Sequence, residues 1–150
     1  MSRFGPGGVV RLGGKPMATQ SMTPDHTLTI LAVQDLARAR AFYRTVFDWP
    51  LTVEVPVYVE FLLPRGQRLG LYQREAFARN TGQLSQLCAP GELTGTEIYL
   101  YLSDPATALG RVVDCGGRLL SPLSGREWGD EVGYAADRDG NVLALARTLG

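Results

Sequence analysis

The sequence predicts an α+β protein built from two tandem βαβββ modules whose curved sheets form a cup. Three observations lead there. Apolar residues alternate in period-2 and period-3.6 stretches in the order β-α-β-β-β, and that order occurs twice. Two aspartates placed to cap helices, Asp35 and Asp104, lie 69 residues apart. Turn-forming sequences, Pro64-Arg-Gly-Gln and Asp137-Arg-Asp-Gly-Asn, precede the last strand of each half.

Leu28–Val33 is a short apolar run that reads as a strand. Asp35 then starts a helix whose apolar stripe is Leu36, Ala39, Tyr43, Val46 and Phe47. Strands follow at Leu51–Val55, Val57–Leu63 and Arg68–Gln73. In the second half Glu97–Leu102 alternates as a strand, and Asp104-Pro105 pairs an N-cap with a proline at the first helical position. Leu109, Val112 and Val113 supply the stripe of that helix, and Gly116-Gly117 end it. Arg118–Ser121, Val132–Ala136 and Asn141–Ala146 complete the set. A 69-residue shift lays Val33 on Leu102, and five further residues absorbed in a loop lay Gly66 and Leu69 on Gly140 and Leu143. Module one is assigned to residues 25–77, a polar linker to 78–95 and module two to 96–150.

Residues 1–24, rich in Gly and Pro and without an apolar core to follow their positive charges, are expected to form a disordered arm rather than a secretion signal. Met17 or Met22 offers an alternative translation start. Lysine plus arginine and aspartate plus glutamate cancel at 15 each, which argues against nucleic acid or an anionic membrane surface as partner. No apolar run approaches the ~18–20 residues of a membrane span. Cys88 and Cys115 make neither a disulfide framework nor a metal motif and are read as isolated thiols of a cytoplasmic protein.

The stretch Val33-Gln-Asp-Leu-Ala-Arg-Ala-Arg-Ala-Phe-Tyr, followed by Asp114-Cys-Gly-Gly, Trp128-Gly and Asp137-Arg-Asp-Gly-Asn, resembles the motif series of the glyoxalase/bleomycin-resistance/dioxygenase (vicinal oxygen chelate) superfamily. The resemblance covers about residues 26–148 and implies paired βαβββ modules, often assembled as homodimers. It also implies a cup in which family enzymes hold a divalent metal on four strands, although other members bind ligands without metal. Carried onto this chain, the four ligand positions fall at Leu28, Gly70, Glu97 and Ala144. Of these only Glu97 offers a metal a donor, whereas a catalytic site takes about three protein ligands. A two-residue slip on the first strand would add His26, which still leaves a pair. Neither a metal nor another cofactor is therefore expected. Asp137 and Asp139 do not match a calcium loop, and Asp-Gly-Asn is read as a tight turn with Gly140 at positive φ.

Strand alternation places Glu97, Tyr99 and Tyr101 on the cup face of the fifth strand. Leu28 and Ile30, with His26 at the rim, share that face on the first strand, Gly70 and Tyr72 on the fourth, and Ala144 on the last. Gly70 and Ala144 are expected to leave space. The tyrosines either line a ligand or fill a small core, and Glu97 either points into the cup, stands exposed on an edge strand, or pairs with an arginine such as Arg68. Trp128 sits in a loop able to act as a lid or to pack beneath it, and Trp49 reads as structural. His26, the single histidine, is open to a general-base role or to simple exposure. The expected function is metal-independent binding of a small molecule, sequestering an aromatic or toxic compound. The alternative is a metal-dependent lyase, isomerase or dioxygenase with a rearranged site.

Overall fold

The computed structural model describes residues 22–150, so the expected arm falls almost wholly outside the described residues. Two four-stranded mixed sheets repeat one design. The first contains β1 (Thr29–Val33), β2 (Leu51–Val55), β3 (Tyr58–Leu62) and β4 (Arg68–Gln73), in the order β1-β4-β3-β2. The second contains β5 (Glu97–Tyr101), β6 (Arg118–Gly125), β7 (Asp130–Ala136) and β8 (Val142–Thr148), in the order β5-β8-β7-β6. In each, the first strand runs parallel to the last and the rest are antiparallel. Helices α1 (Leu36–Phe47) and α3 (Pro105–Asp114) are the crossovers, and a third helix, α2 (Arg74–Thr81), follows β4.

The internal repeat holds at the level of register. Ile30 lies opposite Gly70 in the first sheet, and Tyr99 lies opposite Ala144 in the second. Glu60 faces Gly70 as Tyr134 faces Ala144. Both capping aspartates act as their position suggests. Asp35 accepts from the backbone N–H of Arg38 at 3.0 Å, and Asp104 from that of Thr107 at 3.1 Å. At the far end of α3, Gly116 takes φ 93° and the N–H of Gly117 returns to the carbonyl of Val112 at 2.8 Å.

One apolar core joins the modules. Leu31, Val33, Leu69 and Leu71 from the first sheet and Leu143 and Leu145 from the second pack with Phe42, Tyr43, Val46 and Val112 of α1 and α3. Gly133 brings α3 close, because a Cβ there would sit 2.4 Å from a methyl of Leu109. Phe47 and Trp49 stack at 4.5 Å on the same side, as the structural reading of Trp49 anticipates.

The turn between β7 and β8 does more than reverse the chain. Gly140 adopts φ 88°, as expected for Asp-Gly-Asn. Buried Asp137, however, reaches across to module one and accepts from the Tyr43 hydroxyl at 2.6 Å. Its remaining acceptor sites take the backbone N–H groups of Asp139 and Asn141 and the Asn141 amide. Asp139 in turn accepts from the N–H of Gln34 at the end of β1.

The expected linker is in part a helix. α2 begins before residue 78 and lays Ala76 and Phe77 over Tyr58 and Tyr72. Gln73 caps it, its side-chain oxygen accepting from the N–H of Ala76 at 2.9 Å. Only two apolar side chains contact the sheet, so the segment has little periodic signal to read.

Candidate functional site

The faces of the two sheets that point away from α1 and α3 differ sharply. On the first sheet the outer face carries Ile30, Tyr58, Glu60, Gly70 and Tyr72. It is largely filled. Tyr58 and Tyr72 are 1% and 4% exposed, their rings 5.0 Å apart, with Phe77 of α2 5.8 Å from Tyr72. The space expected at Gly70 is taken, since a Cβ there would lie 2.4 Å from the Tyr58 hydroxyl. That hydroxyl donates to the buried Glu60 carboxylate at 2.7 Å, and Arg68 approaches its other oxygen at 3.5 Å. Arg68 therefore serves Glu60 and not Glu97. Tyr72, on the expected face, lies beneath α2 and presents little surface to a ligand.

The outer face of the second sheet is open. Glu97, Tyr99 and Tyr101 alternate along the edge strand β5 and are all exposed. Tyr99 and Tyr101 cross edge to face at 5.6 Å and 68°. Both hydroxyls donate to one oxygen of Asp130, at 2.6 and 2.8 Å, and Asp130 itself is 4% exposed. The indole N–H of Trp128 donates to the Tyr99 hydroxyl at 2.9 Å. The hairpin turn Arg126–Gly129 fixes this arrangement, with Gly129 at φ 92° and the Arg126 N–H bonded to the Asp130 carbonyl at 2.7 Å. Ala144 lies beneath, fully buried between Tyr99 and Tyr134 in the ladder.

Electrostatics follow the hydrogen bonds. Burial of the hydroxyl, then the bond to Asp130, raises the Tyr99 phenol above its ordinary value, and for Tyr101 the Asp130 bond is the larger cause. Both therefore stay neutral donors to a carboxylate throughout the physiological range.

Of the nominated residues, Glu97, Tyr99, Tyr101 and Trp128 come together on one wall, with Ala144 as its floor. Ile30, Gly70 and Tyr72 belong to the other sheet, and Leu28 is half-buried just ahead of β1. His26 stands exposed at that end, 3.1 Å from the Thr29 hydroxyl. Asp130 was missed in the sequence because it reads there as the polar end of a loop. Alternation back from Val132 was the signal that could have found it.

A cavity of about 310 Å³ lies elsewhere, where β1, α2, the following loop and the β7–β8 turn meet. Ile30, Phe77, Leu87, Arg74 and Asp139 are among its lining residues, and Ile30 is the one nominated residue it includes.

The residues present do not fit the divalent metal of the family's enzymes. Among the described residues no group of three or more His, Cys, Asp or Glu converges. Gly70, at one implied ligand position, lies under the Tyr58 ring. No described helix is long and apolar enough to cross a membrane.

Comparison with known proteins agrees with the fold. A glyoxalase-related enzyme from Fulvimarina pelagi superposes with a TM-score of 0.72 at 21% identity, covering 84% of this chain and 89% of that one. A glyoxalase/bleomycin resistance protein/dioxygenase from Nocardioides gives 0.68 at 24% identity, covering 87% of each. TioX from Micromonospora sp. ML1 gives 0.60 at 21% identity, covering 84% of this chain and all of that one (100%). At such identities the likeness shows the fold alone. No curated relative matches the chain. The family model matches residues 23–145, through both modules and both aspartate-capped helices, and the chain belongs to the Glyoxalase/Bleomycin resistance protein/Dioxygenase superfamily.

Proposed function

We propose that the chain is a metal-independent small-molecule-binding protein that takes up a flat, partly apolar organic compound on the outer face of its second sheet. The observation that carries this reading is the exposed aromatic wall. Tyr99, Tyr101 and Trp128 are 36%, 65% and 59% exposed, yet their polar atoms are tied into one chain of hydrogen bonds ending on Asp130. Aromatic rings already held in place offer contact area at low entropic cost on binding. Leu28, Gly70 and Ala144 bring no donor to a metal, and Glu97 on the same wall provides a charge to orient a ligand.

Sequestration of an aromatic or toxic compound, by a homodimer whose second copy deepens the cup, is the role this wall fits. Thermal-shift screening with aromatic compounds and antibiotics tests it. A ligand at 100 times its Kd raises stability by about 2.7 kcal/mol, well within detection. Tyr101→Ala and Trp128→Ala are expected to remove the shift, and silence across a broad panel would sink the reading. Elemental analysis of protein purified without chelator or affinity tag should find less than about a tenth of an equivalent of divalent metal. Stoichiometric metal would overturn metal independence.

A further inference from the structure

Resting on that reading of the second sheet, we propose that the wall selects organic cations, with Tyr99, Tyr101 and Trp128 as an aromatic cage over the buried Asp130 carboxylate. A cation is drawn to the face of an aromatic ring by the ring's quadrupole, more strongly where water is displaced. Here the rings stand at a steep angle, 68°, and two of their hydroxyls point at a carboxylate rather than into solvent. That bonding satisfies Asp130 with neutral phenols instead of an arginine or lysine, so the carboxylate's charge is not neutralised by its hydrogen-bond donors. Its charge is left for whatever settles on the rings. Exposed Glu97, two residues before Tyr99 on the same face, adds a second negative charge at the rim.

The sheet already holds one cation in this manner. The Arg126 guanidinium lies 5.2 Å over the Tyr134 ring, steadied by the Ser121 hydroxyl at 3.1 Å. Tyr134 and Tyr99 both pair with Ala144 across the ladder, so the two aromatic positions flank one floor residue. Arg126 serves Tyr134, whereas the Tyr99–Tyr101 pair keeps substantial exposed surface. The ligand class is a quaternary ammonium or a permanently charged nitrogen heterocycle of modest size. A compact inorganic cation is too strongly hydrated to gain from the rings.

The test compares N-methylquinolinium with neutral quinoline at pH 7.5 by isothermal titration calorimetry on the full chain. The cation is expected to bind at least roughly tenfold more tightly. Asp130→Asn, which keeps the shape but not the charge, should remove most of that preference and leave quinoline unchanged. If that variant fails to fold, Glu97→Gln and a roughly tenfold rise in salt on the wild type take its place. Each should weaken the cation and not the neutral probe. Equal affinity for both probes overturns the cation preference while the small-molecule reading stands. Binding of neither probe overturns the cation preference as well, and silence of the broad thermal-shift panel beside it overturns the small-molecule reading.

Discussion

Replacing Tyr43 by phenylalanine tests whether the β7–β8 turn is bolted to α1. The hydroxyl meets Asp137 at 2.6 Å where Tyr43 is 1% and Asp137 6% exposed. A hydrogen bond to a charged acceptor contributes roughly 1.5–3 kcal/mol, and the ring itself remains to fill its place, so the loss should fall in that range. Asp137→Asn should cost about 2–4 kcal/mol for a different reason. Each carboxylate oxygen receives two donors, so an amide NH2 in either orientation faces donors. Removing the tyrosine hydroxyl relieves part of that conflict, and the double variant should fall short of additivity by about 1–2 kcal/mol. Urea unfolding followed by circular dichroism measures all three, with an unchanged m-value as the check on two-state behaviour. A loss below about 0.5 kcal/mol for Tyr43→Phe, or strict additivity, would refute the bolt.

The same phenol predicts a pH dependence. Burial first, and then the Asp137 charge and hydrogen bond, hold Tyr43 well above its ordinary value of 10.0. Unfolded chains ionise this group near 10 while the folded protein keeps the proton, so its contribution is complete below pH 10 and is lost as pH rises toward the folded value. Urea midpoints above pH 10 should therefore fall less steeply in Tyr43→Phe. Gly70→Ala should cost about 1–3 kcal/mol. The new methyl meets a Tyr58 hydroxyl that is pinned to Glu60 and cannot swing away, and thermal unfolding would show it. Asp35→Ala should cost about 1 kcal/mol by loss of the α1 cap, read from the urea midpoint.

The sequence revealed the repeat because its signals are local. Strand alternation, Asp35 and Asp104 at N-caps and glycines at positive φ each depend on a few neighbouring residues, and the doubled order cross-checked them. Strand ends were less accurate where tertiary pairing extends them. β7 starts at Asp130 and β6 runs to Gly125, each past the strand end read from the sequence. α2 escaped because its hold on the sheet comes from Ala76 and Phe77 alone. At the site, facing direction was readable and occupancy was not. Tyr72 and Tyr99 sit on comparable faces, yet one is sealed by α2, the helix that directly follows its strand, and the other stands open. The partnership of Tyr99 and Tyr101 with Asp130 spans about thirty residues, a separation of 29 and 31.

The filling of Gly70 by Tyr58 makes the cup's chemistry hard to change in small steps. Placing a carboxylate or imidazole at position 70 needs room that Tyr58 occupies, and shrinking Tyr58 alone takes a hydroxyl partner from the buried Glu60. Each first step is damaging and only the pair is tolerable. A lineage carrying this arrangement would travel more easily by revising Trp128, an exposed ring, since Tyr99 and Tyr101 supply the donors of the buried Asp130 carboxylate. Ligand range can then drift while the opposite sheet stays fixed, as if one wall were kept for architecture and the other left free for selection to alter.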